Sequence, residues 1–429
     1  MRKLTILLGL SMLLCSTAAT AQVSEEEVQA LRDQIELLTK RLDELEKQSQ
    51  QAAPAVPVAA APAPAVSEET VAKVEEMDQE LEEVQQSVAA MSWAEKLKWK
   101  GDFRYRYEHI DQENKDSRNR SRIRARTSLV AQVSDTVEVG VGLATGGDDP
   151  VSSNQTIGGG GSSKDIKIDL AYFDWKGLQN TSVKGGKFSN FLIRPSKQGL
   201  MWDGDWRPEG LGAVWSNDFV FAQGLGTWLE GDSKKGTEFG WALQAGFNFK
   251  TGDWGSLKIG AGYSVFDIAG RTPLFGEPED FYGNTFRVIP NADPNADPTL
   301  VFAYNYHNIE AFAEWKLSKF TLFADYTVNQ DAPDDDTGYL LGAKYGSAKD
   351  KGQWDITYFY ARKEKDAMIG LLTDSDFGGG GTDSKGHAFS GTYAFHKAWN
   401  FKATYFLNQV ELDDSKDYDR LMLDLNFKF

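Results

Sequence analysis

The chain closes on Leu421-Met422-Leu423-Asp424-Leu425-Asn426-Phe427-Lys428-Phe429. Its odd positions are Leu, Leu, Leu, Phe and Phe. The even positions between them are Met, Asp, Asn and Lys. A period of two belongs to a β-strand, whose successive side chains point to opposite faces. One face of this strand suits an apolar medium and the other suits water.

The same pattern recurs upstream. Trp99, Phe103, Tyr105 and Tyr107 alternate with Lys98, Lys100, Asp102, Arg104, Arg106 and Glu108. Ile123, Ala125, Leu129 and Ala131 alternate with Arg122, Arg124, Arg126 and Gln132. Phe239–Phe249, Leu257–Val265, Leu322–Val328 and Phe401–Leu407 repeat it. Read this way, the segment 93–429 predicts about sixteen strands, near 97–111, 121–134, 137–146, 164–178, 181–192, 210–217, 219–231, 236–251, 255–270, 303–317, 320–330, 337–347, 352–364, 385–396, 399–412 and 418–429. Soluble sandwiches alternate too, but here the connections alternate as well, tight turns with longer loops. That is the grammar of a transmembrane β-barrel. Trp99, Trp175, Trp215, Trp254, Trp315, Trp354 and Trp399 fall at the tight-turn ends, where an interfacial girdle wants amphipathic rings. In lipid every backbone N–H and C=O needs an internal partner, so the sheet must close, the last strand on the first. The expected fold is an all-β membrane protein, a transmembrane antiparallel barrel. Leu421, Leu423, Leu425, Phe427 and Phe429 then face lipid, and Asp424, Asn426 and Lys428 face the lumen.

The N-terminal part follows other rules. Met1-Arg2-Lys3, an apolar stretch Leu4–Leu14 and Ala19-Thr20-Ala21 make residues 1–21 a signal peptide. The sole cysteine, Cys15, lies inside it, and Leu14 before it does not suit lipidation. In 22–51, Val28, Leu31, Ile35, Leu38, Leu42 and Leu45 form an a/d seam, which predicts a short periplasmic α-helical coiled coil. Residues 52–66 are an Ala/Pro linker, and 67–92 a second helical segment. Of the net charge of −17, 16 acidic against 5 basic residues between Val23 and Ser92 carry −11; the signal carries +2 and the barrel −8. No basic patch suits nucleic acid.

The chain resembles the putative-porin families of Gram-negative outer membranes that carry an N-terminal coiled-coil stretch. The terminal LDLNFKF carries the resemblance, with the run from SRIRARTSLVA through AYFDW and KGGKF to WDGDWRPEG. It implies passage of small hydrophilic solutes and ions rather than catalysis, with no cofactor and no metal. Expected partners are outer-membrane lipid and lipopolysaccharide, the barrel-assembly machinery, two further copies in a homotrimer, suggested by the heptads and the barrel's size, and peptidoglycan, suggested by the helix with its extended Ala/Pro spacer. The assembly signal falls on Phe429, Phe427 and Leu425. A substrate-selective channel for anions or sugars, and a barrel-anchored tether to the cell wall, are the rival readings.

Two sets of residues are candidates for selectivity, since a barrel of this size encloses an aqueous channel filtered by charges at its narrowest point. Arg104, Arg106, Arg122, Arg124 and Arg126 share the polar face of adjacent strands and form a basic wall. The alternative is a ladder neutralised by Asp102, Glu108 and other lumenal carboxylates. The third long loop, Arg194 to Glu209, carries Asp203, Asp205 and Glu209. The resemblance implies that it folds inward as a constriction. Phe323, Phe359 and Phe406 face the lumen by parity and could line a sugar path. The glycine runs Gly158–Gly161 and Gly378–Gly381 read as exposed loops, and no metal or phosphate motif is present.

Overall fold

The computed structural model describes residues 96–429 apart from 232–235, 251 and 294, together with the isolated helical positions Lys40, Gln79, Leu81 and Glu82. The signal peptide, coiled coil, linker and second helical segment otherwise lie outside the described residues. Contacts divide the chain into Met1–Glu82 and Glu83–Phe429, and among the described residues the strands lie in the second unit.

Sixteen long strands form one closed sheet: β1 (Leu97–Gln112), β2 (Arg118–Ser134), β3 (Val137–Thr145), β4 (Ile166–Trp175), β5 (Thr181–Lys187), β6 (Glu209–Ser216), β7 (Val220–Glu230), β8 (Glu238–Lys250), β9 (Ser256–Phe266), β10 (Tyr306–Leu317), β11 (Phe320–Asn329), β12 (Thr337–Gly346), β13 (Trp354–Lys363), β14 (Ser384–His396), β15 (Trp399–Val410) and β16 (Lys416–Lys428). Each pairs antiparallel with the next. β16 then returns to β1, in register from Asp102 opposite Lys428 to Gln112 opposite Tyr418. Beyond that ladder, Gly101 N donates to Phe429 O at 2.8 Å and Phe429 N to Gly101 O at 3.1 Å. The terminal strand is therefore used to its last residue, and no edge is left at the seam.

The two faces are inverted relative to a soluble protein. Leu129, Val141, Leu243, Leu322, Leu341 and Ile356 point outward and are exposed, whereas Glu108, Gln244, Asp325, Asn329 and Asp424 point inward and are buried. A continuous exposed apolar band is what lipid requires. At the turn end Trp99, Trp175, Trp215, Trp254 and Trp354 are exposed. Trp99 meets Phe429 edge-on with centroids 5.5 Å apart, and Trp399 stacks on Phe427 at 5.9 Å. Trp315 Nε1 donates to the Trp254 carbonyl at 2.9 Å. The first two contacts tie the girdle to the closing seam.

The strand boundaries depart from the sequence reading in one way that shapes the lumen. β5 stops at Lys187 rather than near residue 192. Phe188 is fully buried and its N–H donates to Pro208 O at 3.1 Å. The chain turns inward there because Phe188, Leu192, Met201, Trp202 and Trp206 find apolar partners inside the barrel that lipid-facing strand positions cannot supply. A hairpin, Phe286–Ile289 with Thr299–Phe302, also forms within a stretch read as loop. Register shifts occur at Gln132/Ser134, Gly142/Leu143, Trp228/Glu230 and Ala394/His396.

Part of the interior is a packed core. Phe188, Met201, Trp202 and Trp206 from the loop 188–208 meet Phe266, Phe302 and Tyr306 from the wall and its loops, with Ile369, Leu371 and Leu372 from the loop 364–383. Two loops, not one, fold into the barrel. The second corrects in part the reading of Gly378–Gly381 as exposed: Gly379 is exposed, Gly378 and Gly380 are half-buried and Gly381 is buried. Phe377 beside them is buried, and Gly378 N donates to Asn408 Oδ1 at 2.9 Å. All four glycines have positive φ, from 61° to 100°. A Cβ at Gly381 would collide with the Tyr282 carbonyl. Only glycine allows this backbone to lie so close to its neighbours.

Candidate functional site: a charged constriction

The register of β1 and β2 sets the arginines side by side. Arg104 is opposite Arg124, Arg106 opposite Arg122, and Asp102 opposite Arg126. All five arginines of the wall point inward. Like charges directly opposed on a sheet repel, so carboxylates must stand between them. Asp102 accepts from Arg124 at 2.9 Å and from Arg126 at 2.8 Å. Glu108, fully buried, is held by Arg120 at 2.5 Å, by Arg420 of β16 at 3.0 Å and by Arg122 at 3.5 Å. Arg106 makes a two-pronged contact with Asp424 of β16, at 2.6 and 3.0 Å.

The remaining carboxylates come from the inward loops. Asp205 bridges Arg124 at 3.1 Å and Arg126 at 2.7 Å. Asp376, from the loop 364–383, accepts from Arg106 at 3.1 Å and pairs with Arg420 at 2.9 Å. Burial alone would raise both carboxyls. For Asp205 the guanidiniums of Arg124, Arg126 and Arg207 outweigh that cost; for Asp376 those of Arg106, Arg420 and Arg104 do. Both are held far below the usual carboxylate range. A third loop touches the wall: Asn154 Oδ1 accepts from Arg104 at 2.5 Å, and its carbonyl accepts from Arg122 at 3.3 Å. Arg104 Nε is buried without a partner.

Asp203 and Glu209 stand elsewhere. Asp203 is a hub within the loops: it accepts the N–H of Asp205 at 2.6 Å and of Ser375 at 3.0 Å, while its own N–H donates to Leu372 O at 2.7 Å. Burial, then the nearby Asp374 and Asp205, push its carboxyl up to about 8. Glu209 does not oppose the arginines. It is the first residue of β6, on the outward parity of Leu211 and Trp215, and it pairs with Lys187 at 2.5 Å. The strand begins at the residue where the loop was expected to end, one before its expected start at 210, and strand parity then sets its facing. Phe323 and Phe406 do face inward, but they are buried with Phe377, which stacks on Phe359. The inward loop covers them, so they offer no open aromatic path. His387 and Ser390 lie on opposite faces of β14; His387 Nδ1 is 3.0 Å from the Tyr358 hydroxyl.

Sequence reasoning missed Arg120, Arg420 and Asp376 as members of this cluster. Arg420 was within reach, because it sits on the polar parity of a strand already assigned; Arg120 fell one residue outside the strand expected from 121, which in fact begins at Arg118. Asp376 carried no signal. It lies in an aperiodic loop, and only the packing of Phe377 and Leu371 carries it to the wall.

Comparison with known proteins identifies the family and the fold. The family model described as "Putative porin" matches residues 110–281 and 292–429, so the chain belongs to that porin family. Among solved structures, Pseudomonas putida OprB is 13% identical, covering 79% of this chain and 96% of that one with a TM-score of 0.51. Salmonella typhi OmpF, solved in complex with daunomycin, is 15% identical, covering 78% and 97% with a TM-score of 0.49. Vibrio cholerae OmpT, in a trimer form, is 13% identical, covering 78% and 99% with a TM-score of 0.47. At these identities the likeness is one of fold. Among curated protein sequences nothing matches. The protein is an outer-membrane porin, a channel-forming protein.

Proposed function

We propose that this porin passes small hydrophilic solutes and ions through a narrow charge-balanced constriction built by β16, β1 and β2 on one side and by the loops 188–208 and 364–383 on the other. The observation that carries this reading is Asp205. A loop residue with no strand of its own is fixed between Arg124 and Arg126 on the wall. Pairing leaves seven arginines against five carboxylates, a small cationic surplus, so discrimination rests on size and dipole with a weak preference for anions. Single-channel conductance in a planar bilayer, with reversal potential under a salt gradient, tests it. Linear, non-saturating steps with a permeability ratio modestly in favour of anions are expected. The absence of steps from folded, inserted protein would sink it and favour a tether.

Three further assignments belong to the same proposal. The protein works as a homotrimer. Phe429, Phe427 and Leu425 present the assembly signal, supported by the full use of the terminal strand in the seam. The N-terminal helix lies in the periplasm and reaches the cell wall.

A further inference from the structure

A second charged region lies away from the constriction, at the turn end of the barrel, which faces the periplasm in this architecture. It is a cavity of about 950 Å³ roofed by the loop segment 193–197 and floored by the turns 318–319 and 346–353. Lys258 of β9, Lys316 of β10 and Lys344 of β12 all lie on the inward parity of their strands, and Lys197, Lys319 and Lys349 join them from the loop and the turns. Two of these six cations are balanced: Lys316 pairs with Glu314 at 2.8 Å, and Lys344 with Asp355 at 3.0 Å. Glu314 is further committed, because it accepts the Ser196 N–H at 2.6 Å.

The other four have no carboxylate within ion-pair distance among the described residues. Lys258 lies over the ring of Phe221, 5.4 Å from its centroid, which holds the ammonium without neutralising it. Lys197, Lys319 and Lys349 line the same space. In a protein of net charge −17, a concave pocket with such a surplus of positive charge is not an average surface. Concave walls of low dielectric focus its field. Nothing in the constriction accounts for it.

We infer that this vestibule is a binding site for small multivalent anions, phosphate esters or polycarboxylates, reached from the periplasmic side. The inference rests on the channel reading, and it names a ligand class for a region the constriction does not use. Divalent anions gain most, because the attraction scales with their charge. Monovalent chloride is held too briefly to interrupt current.

The test is block of single-channel current by inorganic pyrophosphate, added to either compartment at constant ionic strength. Orientation is assigned by labelling Lys397→Cys in the turn 397–398, in a chain whose sole other cysteine is Cys15. Reversible interruptions are expected from the turn side. Their dwell time should fall roughly tenfold in Lys258→Gln, by the loss of one charge at contact distance, and further in Lys197→Gln/Lys319→Gln. They should weaken between about 0.1 and 1 M salt as the screening length shortens. Citrate in place of pyrophosphate separates a general polyanion site from a phosphate-selective one; both outcomes support the site. Normal KCl conductance without interruptions, or interruptions indifferent to Lys258, Lys197 and Lys319, overturns it. No KCl conductance from folded protein overturns the channel reading as well.

Discussion

Replacing Asp205 by Asn converts a balanced quartet into a cationic one. Two guanidiniums, Arg124 and Arg126, face two carboxylates, Asp102 and Asp205, at separations of 2.7 to 3.1 Å. The substitution keeps the volume and the backbone donor to Asp203 but removes one negative charge. A unit charge about 5 Å from a passing ion, in the dielectric of water, is worth ~0.8 kcal/mol. That is about fourfold in the local concentration of anions, and the same factor against cations, so the permeability ratio should move roughly tenfold or more toward anions. At 0.1 M salt the Debye length of about 10 Å exceeds that separation, and at 1 M it does not. The shift should therefore shrink in concentrated salt. The assay is reversal potential under a roughly tenfold KCl gradient, with folding checked by heat-modifiable mobility on gels. Folded Asp205→Asn protein with an unchanged ratio, or one displaced toward cations, would refute the placement of this carboxylate at the conducting path.

Other consequences follow from the same contacts. Arg106→Ala leaves Asp424 and Asp376 without their shared guanidinium; breaking a buried pair costs about 3–5 kcal/mol, read as a lower urea midpoint and as larger, noisier conductance once the loop 364–383 loses its anchor. The Asp203 carboxyl, at about 8 against its ordinary 3.8, keeps a proton in the folded loops that the released loop gives up. Its contribution is therefore complete below about pH 4 and is lost as pH rises through about 8. Current flicker should accordingly increase above that pH, against the opposing pull of Arg194 and Lys363 and with the push of Asp374 and Asp205. Asp203→Asn should flatten that profile, and a variant that flickers like the parent at high pH counts against the hub. Deleting Phe429 removes the ring beside Trp99 and both hydrogen bonds to Gly101; the heat-modifiable form in outer-membrane fractions should drop several-fold, and unchanged levels would exclude it from the assembly signal. Gly101→Val should fail similarly, because a Cβ there falls 2.5 Å from the Phe429 ring.

The sequence by itself determined the barrel. Sixteen runs of period two, tight turns alternating with long loops, and tryptophans at one end were each readable, because facing in a strand is a local property and lipid enforces it at every other residue. It also determined that Arg104, Arg106, Arg122, Arg124 and Arg126 share a lumenal wall, since strands joined by one connection become neighbours. What only the tertiary structure decided was which carboxylates answer them. Asp205 reaches Arg124 across a sequence separation of 81 and Asp376 reaches Arg106 across 270; no periodicity spans such distances. Glu209 was lost because β6 begins at it and turns it outward; Asp376 was gained for another reason. A loop's path depends on where its apolar side chains find partners, and Phe188, Trp202, Leu371 and Phe377 find theirs only inside a barrel that has already closed.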